Sequence, residues 1–137
     1  MTKRTIPMTV PMGRAAGVLP RTIQVGSATL DVSPEGETLN TGLGRGVRFE
    51  AHWSATGGSG KATVDITQTS KLTSEISVGM EAPRNIARVL FGGPRLSRQA
   101  ELFARALRYH VETRATEDAD GFDVRRMAVG MVKARSA

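Results

Sequence analysis

Cysteine is absent from all 137 residues. That removes disulfides, thiolate nucleophiles, iron–sulfur clusters and cysteine-ligated zinc together, and with them the secreted disulfide scaffold. Aromatic residues make up only 4%, so the stacking platforms that hold single-stranded nucleic acid are scarce. No window reaches the ~18 apolar residues of a membrane span, and the opening MTKRTIPMTVPMGR has no apolar run of signal-peptide length. Histidine occurs only at 52 and 110. Two histidines with no cysteine and no well-spaced carboxylates rarely bind a metal, so no metal or other cofactor is expected. These absences suggest a cytoplasmic, soluble protein of bacterial or phage type, or a subunit of a soluble assembly such as a virion.

What remains is an ordinary globular composition, 39% hydrophobic and 23% charged, in a length that suits one domain. The net charge is +6, and 15 of the 19 basic residues are arginine. Residues 1–30 hold Lys3, Arg4, Arg14 and Arg21 with no acid, whereas 117–123 are acidic. A basic surplus with so few aromatics is weak ground for a nucleic-acid partner.

Periodicity organises the middle of the chain. Val47, Phe49, Ala51, Trp53 and Ala55 alternate with Arg48, Glu50, His52 and Ser54, the pattern of a half-buried strand. Ala62, Val64 and Ile66, then Ile76, Val78 and Met80, repeat it, and short connections make the three an antiparallel meander. Upstream, RTIQVGSATLDV reads as one strand bent at Gly26, and SPEGE as a β-turn. Downstream, RNIARVLFGG reads as a short link. From Pro94 the period becomes helical, with Leu96, Ala100, Phe103, Leu107 and Val111 on one face and Arg98, Glu101, Arg105, Arg108 and Glu112 on the other. The expected fold class is α+β: an antiparallel β-sheet meander packed against one long C-terminal α-helix. Residues 1–18 would be an extended N-terminal arm or edge strand, 19–116 the domain, and 117–137 an acidic turn followed by a basic C-terminal tail.

Signatures of catalysis are few. SATGGSGKAT, residues 54–63, imitates a phosphate loop, but that motif needs glycine at 55 and a hydroxyl at 62, and both are alanine. A strand pattern follows it where a helix would be needed. As a nucleophile elbow it fails at Lys61. A hairpin turn is the better reading. Glu117, Asp118, Asp120 and Asp123 lack the glycine position and closing glutamate of a calcium loop. In the tail, Arg125, Arg126, Lys133 and Arg135 alternate with Met127 and Met131, a basic amphipathic pattern that could dock a protein partner or fold back on its own domain.

GKATVDITQTSKLTSEISVGMEAP followed by NIARVLFGGPRLSRQAELFARALRYHVE resembles the end of an SRPBCC domain, the START-like polyketide-cyclase and lipid-transfer superfamily. The resemblance covers roughly residues 45–114. It implies a helix-grip-like fold and an apolar small-molecule ligand between sheet and helix. The pocket would be lined by Phe49, Trp53, Val64, Ile76, Val78, Phe103, Leu107 and His110. It also leaves room for a cyclase or hydratase activity with His110 or Tyr109 as the acid–base group, although no acid–base pair can be placed. The competing expectation is a structural subunit that self-assembles, or binds protein partners, through its termini.

Overall fold

Period-two alternation becomes strand from Gly44 to Met80, and the helical period becomes a single long helix. The structure, a computed structural model, describes residues 2–41, 44–82 and 93–132, with side chains at 2–40, 44–82 and 95–116. Six strands, β1 (Thr2–Met8), β2 (Thr22–Val25), β3 (Ala28–Thr41), β4 (Gly44–Ala55), β5 (Gly58–Gln68) and β6 (Ser74–Met80), form one antiparallel sheet in the order β1-β6-β5-β4-β3-β2. A short helix, α1 (Met12–Gly17), joins the first two strands, and α2 (Gly93–Val132) follows the last. The sheet curls over α2, which touches both edge strands, β1 and β2. The link at 83–92, read above as a short helical or irregular segment, lies outside the described residues.

The inner face of the sheet follows the alternation. Val64 pairs with Phe49 on one side and Val78 on the other, and Ile66 lies between Val47 and Ile76. Val64, Ile66, Ile76, Val78 and Met80 are fully enclosed, as are Ala100, Phe103, Ala104, Leu107 and Val111 of α2. The glycine stretch is a hairpin: Ala55 pairs with Gly58 across a two-residue turn in which Gly57 has φ 95°, a backbone region open mainly to glycine. Gly60 serves a different purpose. It lies opposite Trp53, and a β-carbon there would fall 2.9 Å from the indole nitrogen. The glycine leaves room for the ring, whose N–H donates to the Glu81 carbonyl at 2.9 Å.

Three expectations need correction. RTIQVGSATLDV is a hairpin of β2 and β3, not one bent strand, because Gly26 adopts φ 62° and reverses the chain. SPEGE is not a turn: β3 runs through it, and its register against β4 slips between Val32 and Gly36. Such a bulge absorbs extra residues and bends the strand. Gly36 is required there, since a β-carbon would lie 2.6 Å from a Val47 methyl and 2.9 Å from the Phe49 ring. For residues 1–18, expected as an arm or an edge strand, the edge strand holds. Thr2–Met8 form an edge strand on β6, and Met8, Val10 and Ala15 belong to the core. The acidic residues expected in a turn lie within α2, which continues through Gly121 and Gly130 to Val132, although each glycine costs a helix ~1 kcal/mol.

The outer face carries one buried charge. Asp65, only 4% exposed at its side chain, accepts from Arg48 Nε at 2.8 Å and Nη2 at 2.9 Å, and from Lys3 Nζ at 3.2 Å. Three strands, β1, β4 and β5, are thereby tied through one carboxylate. Burial alone would push that carboxyl upward, but the hydrogen bonds from Arg48 and Lys3 outweigh it and hold Asp65 below the usual aspartate range. The stability it contributes is therefore complete above the unfolded-state value near ~4 and is lost as pH falls through the depressed folded value. Arg48 and Lys3 are 39% and 49% exposed, so solvent screens them. Asp65→Ala should cost about 1–2 kcal/mol rather than the ~3–5 of a fully buried pair. Urea melts at pH 7 and pH 3 check this: Asp65→Asn should flatten the loss of stability between them, and an unchanged pH slope would exclude Asp65 as its source.

Candidate functional site

The connection from α1 to β2 and the bulge in β3 meet beside Phe49. Gly17 and Pro20 limit α1 to six residues, and the Val18 N–H closes it on the Arg14 carbonyl at 3.2 Å. The chain is then held to the sheet by the Val32 N–H, which donates to the Arg21 carbonyl at 2.7 Å. Two residues further along β3, Pro34 lies in the bulge, where the lack of an N–H costs no ladder bond. Between these segments lies a partly open cavity of about 180 Å³, lined by Ala16, Gly17, Leu19, Pro20, Arg21, Val32, Ser33, Pro34 and Phe49. Arg21 is the one charged residue of that lining, and the Ser33 hydroxyl adds a donor and acceptor.

The eight residues assigned to a pocket converge on the inner face without all reaching this space. Trp53, Val64, Ile76, Val78, Phe103 and Leu107 are fully enclosed core, and Phe49, at 6%, is shared between core and cavity. His110 is half-buried on α2. Tyr109 is 74% exposed, which separates it from the interior where a ligand-facing acid would be needed. Arg125, Arg126, Met127 and Met131 fall within α2 beyond the described side chains, and Lys133 and Arg135 lie outside the described residues. Among the described residues no group of three or more His, Asp or Glu side chains is placed to hold a metal ion, and no helix is long and apolar enough to cross a membrane.

A second concavity, an open groove of about 550 Å³, runs between the end of β1, the 69–73 loop and α2. Several of its polar groups are already engaged. Glu112 accepts from the Thr9 N–H at 2.9 Å and hydroxyl at 2.8 Å, and the Ser74 hydroxyl donates to the Val10 carbonyl at 2.5 Å. Glu101 accepts from Arg4 at 3.0 Å, with Arg105 one helical turn away at 3.8 Å. The hydrogen bond from Arg4 holds the Glu101 carboxyl below its usual range, with further help from Arg105. These contacts fasten α2 to β1.

No protein-family model matches the chain, and no curated protein matches it. Among solved structures it is similar to a conserved protein from Geobacillus kaustophilus, with a TM-score of 0.48 and 8% identity, over 84% of this chain and 94% of that one. A hypothetical protein from Sulfolobus tokodaii is similar with a TM-score of 0.42 and 8% identity, over 87% and 99% of the two chains.

Phe49 was recognisable in the sequence as an inward residue of its strand. Arg21, Ser33 and Pro34 were not, because they stand in a connection and a bulge where no period marks a face. The one available signal was proline inside a β-branched run, which points to an edge or a bulge. The two phenylalanines should respond differently to truncation. Phe103→Ala, in a fully packed site, should cost about 4–5 kcal/mol, and Phe49→Ala, already bordering empty space, nearer ~3. Equal losses in denaturant melts would mean that Phe49 is as tightly enclosed as Phe103.

Proposed function

We propose that the chain is a small-molecule binding module with a helix-grip-like arrangement, its ligand held in the cavity beside Phe49, between the end of α1 and the bulge of β3. The cavity of about 180 Å³ against that residue carries the reading. It abuts the core at Val32 and Phe49, and α1, which has one short helix where the SRPBCC family has two, leaves it partly open. Its size limits the ligand: an apolar cavity of ~150 Å³ holds benzene, so a molecule of about six to ten heavy atoms fits. The order of elements, one strand, a short helix, five strands and a long helix, agrees with the SRPBCC-like reading. Toluene titrated into ¹⁵N-labelled protein should shift the amides of Ala16, Gly17, Val32 and Phe49. Ala16→Leu should abolish those shifts while leaving Tm within a degree or two. Shifts confined to other residues would place binding elsewhere and end this reading.

One observation favours an assembly subunit instead. α2 continues from Ala115, the last of its described core residues, to Val132, about 25 Å further along its axis. A chain ending after Thr116 would then keep its Tm and lose self-association in light scattering. Unchanged mass for the full and shortened chains would remove the subunit reading.

A further inference from the structure

Arg21 is the one charged residue in the lining of the cavity beside Phe49. Lys3 and Arg48 are paired with Asp65, and Arg4 and Arg105 with Glu101. Arg21 makes no ion pair among the described residues, and the lining holds no acid. Of the two acids close to it in sequence, Asp31 accepts from the Thr22 hydroxyl at 3.0 Å, and neither Asp31 nor Glu35 lines the cavity. Around Arg21 the lining side chains of Ala16, Leu19, Pro20, Val32 and Phe49 are apolar, while most of the surface exposed in the cavity is polar.

From this we infer that the ligand is a small carboxylate, with an apolar body against Phe49 and Val32 and its anionic head on Arg21 and Ser33. A guanidinium offers two parallel donors at the spacing of a carboxylate's oxygens, and a flanking hydroxyl supplies a third. The apolar wall suits a ring or short branched chain, and the volume admits an acid of benzoate's size. Phosphate monoesters fit less well, since their second charge would face a single cation.

This inference rests on the binding reading above, and one experiment separates their failures. Benzoate, benzamide and benzyl alcohol are titrated into the full ¹⁵N-labelled chain at low and high salt. Benzoate should shift Gly17, Arg21 and Ser33 and bind about two- to fivefold more tightly than either neutral analogue, the range that a solvent-exposed ion pair contributes. The advantage should shrink in high salt. Arg21→Gln should remove it, and Arg21→Lys should restore part of it. Arg21 is exposed, so both variants should keep the parent Tm. Equal binding of all three compounds would overturn the carboxylate assignment and leave the binding reading standing. Failure of all three to bind at several millimolar would overturn both.

Discussion

Six strands about 4.8 Å apart span roughly 24 Å from edge to edge, whereas a helix with its side chains is about 10–12 Å across. One helix cannot cover such a face if the sheet is flat. The apolar sides of β4, β5 and β6 would stand half in water, so the sheet has to curl until both edges meet α2. The bulge between Val32 and Gly36 bends β3 toward the helix, and Gly36 lets the bent strand lie against Val47 and Phe49. At the other edge Arg4 reaches Glu101, Thr9 reaches Glu112, and Arg14 donates to the Ala115 carbonyl at 3.4 Å. These rim contacts are worth little singly in solvent. They fix where the curled edge stops along the helix.

The N-terminal strand matters to this closure more than its proline content suggests. β1 joins the sheet beside β6, next to the last strand in the chain, so the sheet's far edge forms only when the ends of the domain meet. Lys3 reaches across to Asp65, and Met8 and Val10 enter the core. Each proline falls where it costs no hydrogen bond that the fold needs. Pro7 lies on an edge strand, and Pro11 caps α1, with its carbonyl accepting the Ala15 N–H at 2.9 Å. Proline spacing argued correctly against a long helix there. It gave no sign that the segment was integral, because that depends on pairing with residues 70 positions away.

Legibility followed the range of the cause. Strands β4 to β6 and the buried face of α2 are set by which side chains must leave water, and that is visible as period in the residues themselves. Ser33–Pro34–Glu35–Gly36 has the composition of a turn and of a bulge alike. Register against β4 decides between them, through the space that Val47 and Phe49 leave at Gly36. Gly26 and Gly57 are both turn glycines with positive φ. The second was legible as a hairpin because clean alternation flanks it on both sides. The first was not, since β2 is only four residues long. At the candidate site, Val32 and Phe49 come from core-facing strand positions, and Arg21, which gives it charge, comes from a connection that carries no period.

The cavity itself follows from the curl. Where the bending strand departs from its ladder, a corner opens against the end of α1 and the connection to β2. α1 is too short to fill it: beyond Gly17 the chain turns away through Pro20 to start β2. Walls beside such a space lose dispersion contacts that close packing would supply, so the corner is a standing cost to the fold. It is smallest in a site that remains open, where water solvates Arg21 and Ser33. A bound molecule would recover contacts at the apolar wall while replacing water at the polar one. The same bulge that lets one helix cover six strands thus creates the one place beside Phe49 where binding and stability pull in the same direction.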